Sequence, residues 1–156
     1  MSYTTEQNKA IVSRFNHECI EQGLATSFEE LLAGDVVNHS APAGRPNGKE
    51  SFSAFLNGVL RKGFPDCKVE ILEQVAEGDF VTTRKKITGT HTGEIMGIAP
   101  TNRFVEIQVI DMIRLEDGKY KEHWGQTDFL KSFELYNAGS QTSLSCPRSS
   151  IPCLPA

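Results

Sequence analysis

The stretch that decides the fold spans residues 67–130 and reads CKVEILEQVAEGDFVTTRKKITGTHTGEIMGIAPTNRFVEIQVIDMIRLEDGKYKEHWGQTDFL. Apolar and polar residues alternate in its opening CKVEI, which is the pattern of a half-buried β-strand. Similar strand-like patterns return in residues 80–90, 105–113 and 119–130. The stretch therefore predicts four consecutive strands.

Two short turns and one long loop separate these strands. Glu77-Gly78-Asp79 and Glu116-Asp117-Gly118 are typical of tight turns, and Asp-Gly is a strong hairpin signal. Residues 91–102 form a longer connection rich in Gly, Pro and Thr. Short connections join antiparallel neighbours, so the four strands are expected to form an antiparallel meander.

Upstream of the strands, apolar residues recur at the three- and four-residue spacing of amphipathic helices. Thr4 and Gln7 resemble a capping box that opens the first helix, and Gly23 ends it. Ser27 and Glu30 give a second capping-box signature. The second helix is expected to end at Gly34, and the third, with an apolar face of Phe52, Phe55, Leu56, Val59 and Leu60, at Gly63 and Pro65.

Helices followed by a meander indicate an α+β fold. We expect a cone-shaped barrel, in which a curved antiparallel sheet is wrapped by three N-terminal helices and its mouth holds a ligand. The chain of 156 residues is long enough for one core. The domain is expected to cover residues 1–136, and the Ser- and Pro-rich residues 137–156 to form a flexible C-terminal tail.

Composition excludes several classes of function. The net charge is −4 and no dense Lys/Arg cluster is present, which argues against nucleic acid as a partner. The short run Arg84-Lys85-Lys86 is interpreted as mainly a solvated strand face. No apolar stretch has the roughly 20 residues of a membrane span. The N-terminus lacks a signal-peptide pattern, so a cytoplasmic protein without membrane contact is expected.

Nothing in the sequence indicates a metal or a cofactor. The four histidines and four cysteines are scattered, without the spacing of a zinc site or a redox pair. The loop from Gly44 to Lys49 has three residues between its glycines instead of the four of a phosphate-binding loop. The prediction is therefore no metal and no cofactor.

The last two strands carry the candidate chemistry. Asp111 shares its strand face with apolar residues, and Trp124, Gln126 and Asp128 share one alternation with Tyr120. If that face lines the interior, it offers an aromatic ring, an amide and carboxylates in a partly dry pocket, where burial raises a carboxyl pKa towards that of a useful base. The alternative is a core tryptophan with solvent-exposed carboxylates and a structural Asp111.

The same region resembles the SnoaL-like polyketide cyclase family, within the nuclear transport factor 2-like superfamily. The resemblance covers about residues 5–135. It is carried, in order, by Phe64-Pro65-Asp66, Glu77-Gly78-Asp79, Gly89-Thr90-His91-Thr92-Gly93, Gly97-Ile98-Ala99-Pro100-Thr101, Glu116-Asp117-Gly118-Lys119, and Glu122-His123-Trp124 with Asp128 behind it.

The resemblance implies a homodimer and a cofactor-free intramolecular aldol ring closure on an aromatic polyketide. An aspartate acts as general acid/base in these cyclases, and Asp128 matches its position. Such aspartates are expected to pair with a pocket histidine, for which His39, His91 and His123 are candidates, while Arg114 lies near the plausible position.

The leading hypothesis is therefore a cyclase or related isomerase acting on a small hydrophobic or aromatic substrate. Asp128 is the predicted catalytic residue, and the predicted substrate-binding residues are His39, Trp124, Gln126, Asp111, His91 and Arg84. Two alternatives stay open. One is a non-catalytic ligand-binding module, and the other is an epoxide hydrolase whose water is activated by Asp111, Arg84 and Asp128.

Overall fold

The computed structural model describes residues 2–132 of the chain, so the predicted tail and its boundary at residue 136 lie outside the described residues. Up to Thr127 the chain has four helices and five strands: two helices precede the first strand, two follow it, and the remaining four strands are consecutive. In chain order they are α1 (Thr5–Phe15), α2 (Ala25–Leu31), β1 (Leu32–Asn38), α3 (Lys49–Phe55), α4 (Arg61–Gly63), β2 (Lys68–Glu77), β3 (Phe80–Thr90), β4 (Phe104–Glu116) and β5 (Lys119–Thr127).

Two helices widen into π-helical turns. One turn extends α1 through Asn16–Glu21, and the other joins α3 to α4 through Leu56–Leu60. A π-helical turn changes the direction in which the following side chains point and is frequent at functional sites. In α1 the widening begins at Asn16, whose side chain is fully buried and donates to the Val12 carbonyl.

The five strands form one sheet in the order β1-β5-β4-β3-β2. The predicted α+β class and the antiparallel meander of β2 to β5 are confirmed. Two features differ from the expected antiparallel barrel. β1 pairs with β5 in parallel, which makes the sheet mixed, and β1 and β2 remain at opposite edges, so the sheet is not closed.

Local signals explain most element boundaries. Both hydrogen bonds of the Thr4–Gln7 capping box are present, and Gly23 ends the first helical segment with a φ of 68°. In the turn between β4 and β5, Asp117 and Gly118 have φ of 51° and 74°, the type I′ geometry of a two-residue hairpin. The second helix begins at Ala25, two residues before the expected Ser27, and ends before Gly34, because residues 32–34 already belong to β1.

The sheet has an inner face, which packs against the helices, and an outer face on the opposite side. The inner face carries the buried side chains of Val81, Ile107 and Ile113, and α1 contacts it on β2 and β3. The outer face carries neighbours of opposite parity, among them Ile110 and Met112. No helix among residues 2–132 is both long and apolar enough to span a membrane.

Candidate functional site

One extra residue in β5 decides which side chains reach the inner face. Leu115 pairs with Tyr120, but Arg114 pairs with Glu122, so Lys121 is inserted as a β-bulge. Tyr120 lies on the inner face before the bulge. After the bulge, His123 pairs with Ile113, whose side chain lies on the inner face, so the His123 side chain lies on the inner face as well. The bulge thus reverses the alternation within β5.

This reversal corrects the expected common face of the β5 residues. Trp124 pairs with Met112 and Gln126 pairs with Ile110, which places both on the outer face with Glu122. Asp128 follows the end of the strand. The inner face of β5 instead presents His123 and Gly125.

A buried group of polar side chains, which we call the inner polar cluster, lies on the inner face. Its members come from α1, from the end of β1, and from β3, β4 and β5. They are Asn16, Asn38, Lys85, Asp111 and His123. Three members, Asn16, Lys85 and Asp111, are 0%, 3% and 6% exposed, so their polar atoms depend on each other for partners.

A salt bridge between Lys85 and Asp111 forms the centre of the cluster. The Lys85 Nζ donates to Asp111 Oδ2 at 2.7 Å and to Asn16 Oδ1 at 2.6 Å. The other carboxylate oxygen, Asp111 Oδ1, is buried and has no hydrogen-bond partner among the described residues. An unpartnered buried carboxylate oxygen is costly, and a substrate hydroxyl or a water could supply the missing donor.

His123 lies beside this salt bridge. Its Nε2 is 4.0 Å from Asp111 Oδ2, and its Nδ1 is 2.8 Å from Asn38 Oδ1. Burial lowers the pKa of the imidazole from 6.5 to about 4; the Asp111 carboxylate opposes this shift, and Lys85 and His39 add to it. The imidazole is therefore neutral at pH 7 and keeps one nitrogen lone pair free to accept a proton.

Small and aromatic residues surround the histidine. Gly125 lies opposite Asp111, and a Cβ atom there would approach His123 Cε1 to 3.0 Å. The imidazole therefore lies close to where a side chain at position 125 would begin, and glycine accommodates the ring without that close contact. The Phe52 ring lies 5.4 Å from His123 between ring centroids, and Phe15 stacks on Tyr120 at 4.3 Å. These buried aromatic rings pack against the cluster and shield it from solvent.

Three members of the cluster, Asn16, Asn38 and Lys85, were missed by sequence reasoning. The run Arg84-Lys85-Lys86 was expected to face solvent, and this is wrong for Lys85, which shares the inner parity of Thr83 and Ile87. The alternation of inward and outward residues along β3 therefore indicated from the sequence that Lys85 is buried. Asn16 lies four residues after Val12 on the buried face of the first helical segment, but its amide side chain did not mark it as a site residue.

The outer face collects other predicted site residues. The His39 ring stacks on Trp124 with centroids 4.6 Å apart and an interplanar angle of 8°. His39 Nε2 lies 3.0 Å from a Glu122 carboxylate oxygen, and Arg114 forms a salt bridge with the same carboxylate. His39 and Trp124 are therefore together, but across the sheet from Asp111.

Arg84, Gln126 and Asp128 border an open groove of about 280 Å³ on the outer side. Asp128 Oδ1 accepts from the Gln108 backbone amide at 2.7 Å, and Arg84 Nη2 donates to Glu73 at 2.7 Å. Asp111 belongs to the inner face. The structure therefore does not bring together the Asp111, Arg84 and Asp128 set that the epoxide-hydrolase alternative requires.

His91 lies immediately after β3, apart from both groups. It is completely buried, its Nδ1 is 3.0 Å from the Thr101 hydroxyl, and its ring packs against Phe64. These contacts join the long loop of residues 91–102 to the end of α4. Across residues 2–132, no group of three or more His, Cys, Asp or Glu side chains has a geometry that could hold a metal ion.

Comparisons with known proteins agree with this architecture. The family model described as SnoaL-like polyketide cyclase matches residues 10–134. The aklanonic acid methyl ester cyclase DnrD of Streptomyces peucetius is 25% identical over 118 residues, which cover 74% of this chain and 81% of that protein. The nogalonic acid methyl ester cyclase of Streptomyces nogalater is 24% identical over 120 residues, covering 76% and 86%.

A solved structure, that of IdmH from Streptomyces antibioticus, has a similar fold. It superposes with a TM-score of 0.72 at 29% identity, and the match covers 84% of this chain and 99% of that one.

Proposed function

Because the chain belongs to the SnoaL-like polyketide cyclase family, we propose that it catalyses cofactor-free ring closure of a polyketide-like small molecule by an intramolecular aldol reaction. Two similar proteins are named as cyclases of aklanonic acid methyl ester and nogalonic acid methyl ester. A substrate with fused aromatic rings and an activated side chain is the class that this likeness supports.

The reaction needs one proton to be moved twice. A base removes a proton from a carbon next to a carbonyl, and the resulting enolate carbon forms a C–C bond to a ketone carbon of the same molecule. The electron pair of that C=O bond becomes an alkoxide, which takes up a proton. The product is an isomer of the substrate, so the step requires no oxidant, reductant or second substrate.

We assign the proton transfer to His123, assisted by Asp111. The observation that carries this assignment is the imidazole on the inner face of the sheet, whose Nε2 lies 4.0 Å from Asp111 Oδ2. The imidazole can accept the carbon-bound proton, and the nearby carboxylate stabilises the imidazolium that forms. The imidazolium then protonates the alkoxide.

Asp128, the residue expected from the sequence, is the competing acid/base. Its Oδ1 accepts a backbone hydrogen bond at the end of β5, and its side chain is half-buried. This hydrogen bond ties the carboxylate to the backbone of β4, which favours a structural role. The two proposals make opposite predictions for single substitutions.

The test uses aklanonic acid methyl ester as substrate and follows the appearance of an isomer of unchanged mass by chromatography. His123→Gln and Asp128→Asn are compared with wild type for turnover and, separately, for substrate binding. Loss of a general acid/base typically lowers the rate about 10²–10⁴-fold. We expect this loss in His123→Gln with little change in binding, and nearly full turnover in Asp128→Asn.

His17→Gln serves as the matched control, because His17 is a half-exposed histidine on the first helical segment. It is expected to leave turnover unchanged. Full turnover by His123→Gln, together with its loss in Asp128→Asn, would transfer the acid/base role to Asp128. Binding without turnover in wild type, for this compound and for nogalonic acid methyl ester, would favour the ligand-binding module instead.

The outer face supports a second proposal, which is a homodimer formed through the sheet. Val75, Thr82, Met112 and Trp124 are successive neighbours in one row across β2, β3, β4 and β5. Val75 is 66% exposed and Met112 is 36% exposed. A contiguous exposed apolar row is typical of an interaction surface, and a second copy could cover it.

A further inference from the structure

We infer that Asn38 is a positioning residue that fixes the tautomer of His123, placing the ring proton on Nδ1 and leaving the Nε2 lone pair as the acceptor beside Asp111. The inference comes from a chain of hydrogen bonds between the start of α3, the end of β1 and the inner polar cluster. Its catalytic meaning rests on the proposed function, because there His123 Nε2 receives the proton.

The orientation of the Asn38 amide is determined by two neighbours. The backbone amide of Ser40 donates to Asn38 Oδ1 at 3.0 Å, and a backbone N–H can only donate. On the other side, Asn38 Nδ2 donates to the Ser51 hydroxyl at 3.1 Å, while that hydroxyl donates to the Gly48 carbonyl at 2.7 Å. A flipped amide would turn its N–H groups towards Ser40 N–H, so the oxygen must face His123.

The fixed amide in turn determines the histidine. Asn38 Oδ1 lies 2.8 Å from His123 Nδ1, and an amide oxygen can only accept. The shared proton must therefore be on Nδ1, as in other histidines whose tautomer is set by the partner of one ring nitrogen. The neutral ring then has its lone pair on Nε2, which is the nitrogen 4.0 Å from Asp111 Oδ2.

The position of Asn38 in the fold keeps this arrangement rigid. Asn38 is the residue of β1 that pairs directly with His123 of β5, and the next backbone amide, that of His39, donates to the His123 carbonyl at 2.9 Å. The backbone N–H of Asn38 also donates to the backbone carbonyl of Asn47. The parallel β1–β5 pairing therefore places a backbone-anchored acceptor beside the ring.

The experiment observes the ring nitrogens directly by NMR of the full chain with ¹⁵N-labelled histidine. Long-range ¹H–¹⁵N spectra distinguish the two neutral tautomers, and a pH titration gives the pKa of His123. In wild type we expect the Nδ1–H tautomer. In Asn38→Leu, which has no acceptor, we expect the Nδ1–H fraction to fall and kcat to decrease while KM stays nearly constant.

Asn38→Asp is the second variant, and it is designed to keep the fold. The carboxylate keeps the acceptor in place and adds a negative charge, which favours the imidazolium. An opposite charge within a few ångströms shifts a pKa by about 1–3 units, so the His123 pKa should rise by that amount from its low value of about 4. Asn57→Leu is the matched control, since Asn57 donates only to Ser53 on the exposed surface.

The nitrogen spectra alone decide this inference. An Nε2–H tautomer in wild type, an unchanged tautomer in folded Asn38→Leu, or an unchanged His123 pKa in Asn38→Asp would each overturn it. Turnover of His123→Gln decides the proposed function independently. If that variant remains active while wild type shows the Nδ1–H tautomer, the tautomer assignment stands and the base is elsewhere.

Discussion

Replacing Asp111 by Asn should destabilise the protein by several kcal/mol, because the substitution isolates a buried cation. Lys85 is 3% exposed, and its ammonium group would keep only neutral amide oxygens as partners, that of Asn16 and that of the introduced side chain. At the observed 2.7 Å separation, the lost attraction is ~6 kcal/mol with an effective dielectric constant of 20.

The net loss is smaller than that figure, because replacement of the carboxylate also removes its own desolvation cost. Loss of one partner of a buried pair typically costs about 3–5 kcal/mol. We therefore expect the free energy of unfolding to fall by about 3–5 kcal/mol.

Urea unfolding at pH 7 measures this loss for Asp111→Asn, and compares the single variants Lys85→Met and Asp111→Leu with the double variant Lys85→Met/Asp111→Leu. The double variant should recover most of the stability, because an apolar pair has no buried charge to compensate. A loss below about 1 kcal/mol in the single variant, or strictly additive losses in the double variant, would refute the reasoning.

Two further predictions concern pH and assembly. The His123 pKa of about 4 in the folded state lies below the unfolded value of 6.5, so stability should be constant above pH 6.5 and fall by about 3 kcal/mol on acidification to pH 4. Urea unfolding between pH 4 and pH 6.5 should show a smaller loss of stability on acidification in His123→Gln than in wild type. An equal loss in the two proteins would contradict the prediction. Sedimentation of the full chain should show a dimer that Met112→Glu converts to a monomer, whereas a dimer that survives this substitution would exclude the outer face as its interface.

The elements whose signals are local were predictable from the sequence. Alternation identified β2 to β5, and Asp117-Gly118 marked the hairpin because both residues adopt a positive φ there. The pairing of β1 with β5 was not predictable in this way, since it joins segments more than 80 residues apart in the chain. Ser27 illustrates a false local signal: its hydroxyl donates to Glu18 instead of capping a helix.

The candidate site was less predictable than the fold because it depends on a single inserted residue. The alternation of Tyr120, Trp124 and Gln126 is regular in the sequence, yet Lys121 forms a bulge and the regularity ends there. Lys85 shows the reverse situation: the parity of β3 placed it inside, but its charge suggested solvent. A buried lysine is tolerated at this position because Asp111 and Asn16 satisfy its ammonium group.

The bulge also explains how one short segment can contribute to two surfaces. In the sequence Glu122-His123-Trp124-Gly125, alternate residues point to opposite sides of β5. His123 and Gly125 form the inner side, where the imidazole adjoins Asp111 and the glycine accommodates the ring. Trp124 and Glu122 form the outer side, where both contact His39. A shift of the bulge by one residue would exchange these roles. The register of β5 therefore couples the proposed catalytic group to the proposed dimer surface, and substitutions at Lys121 should be judged by their effect on both.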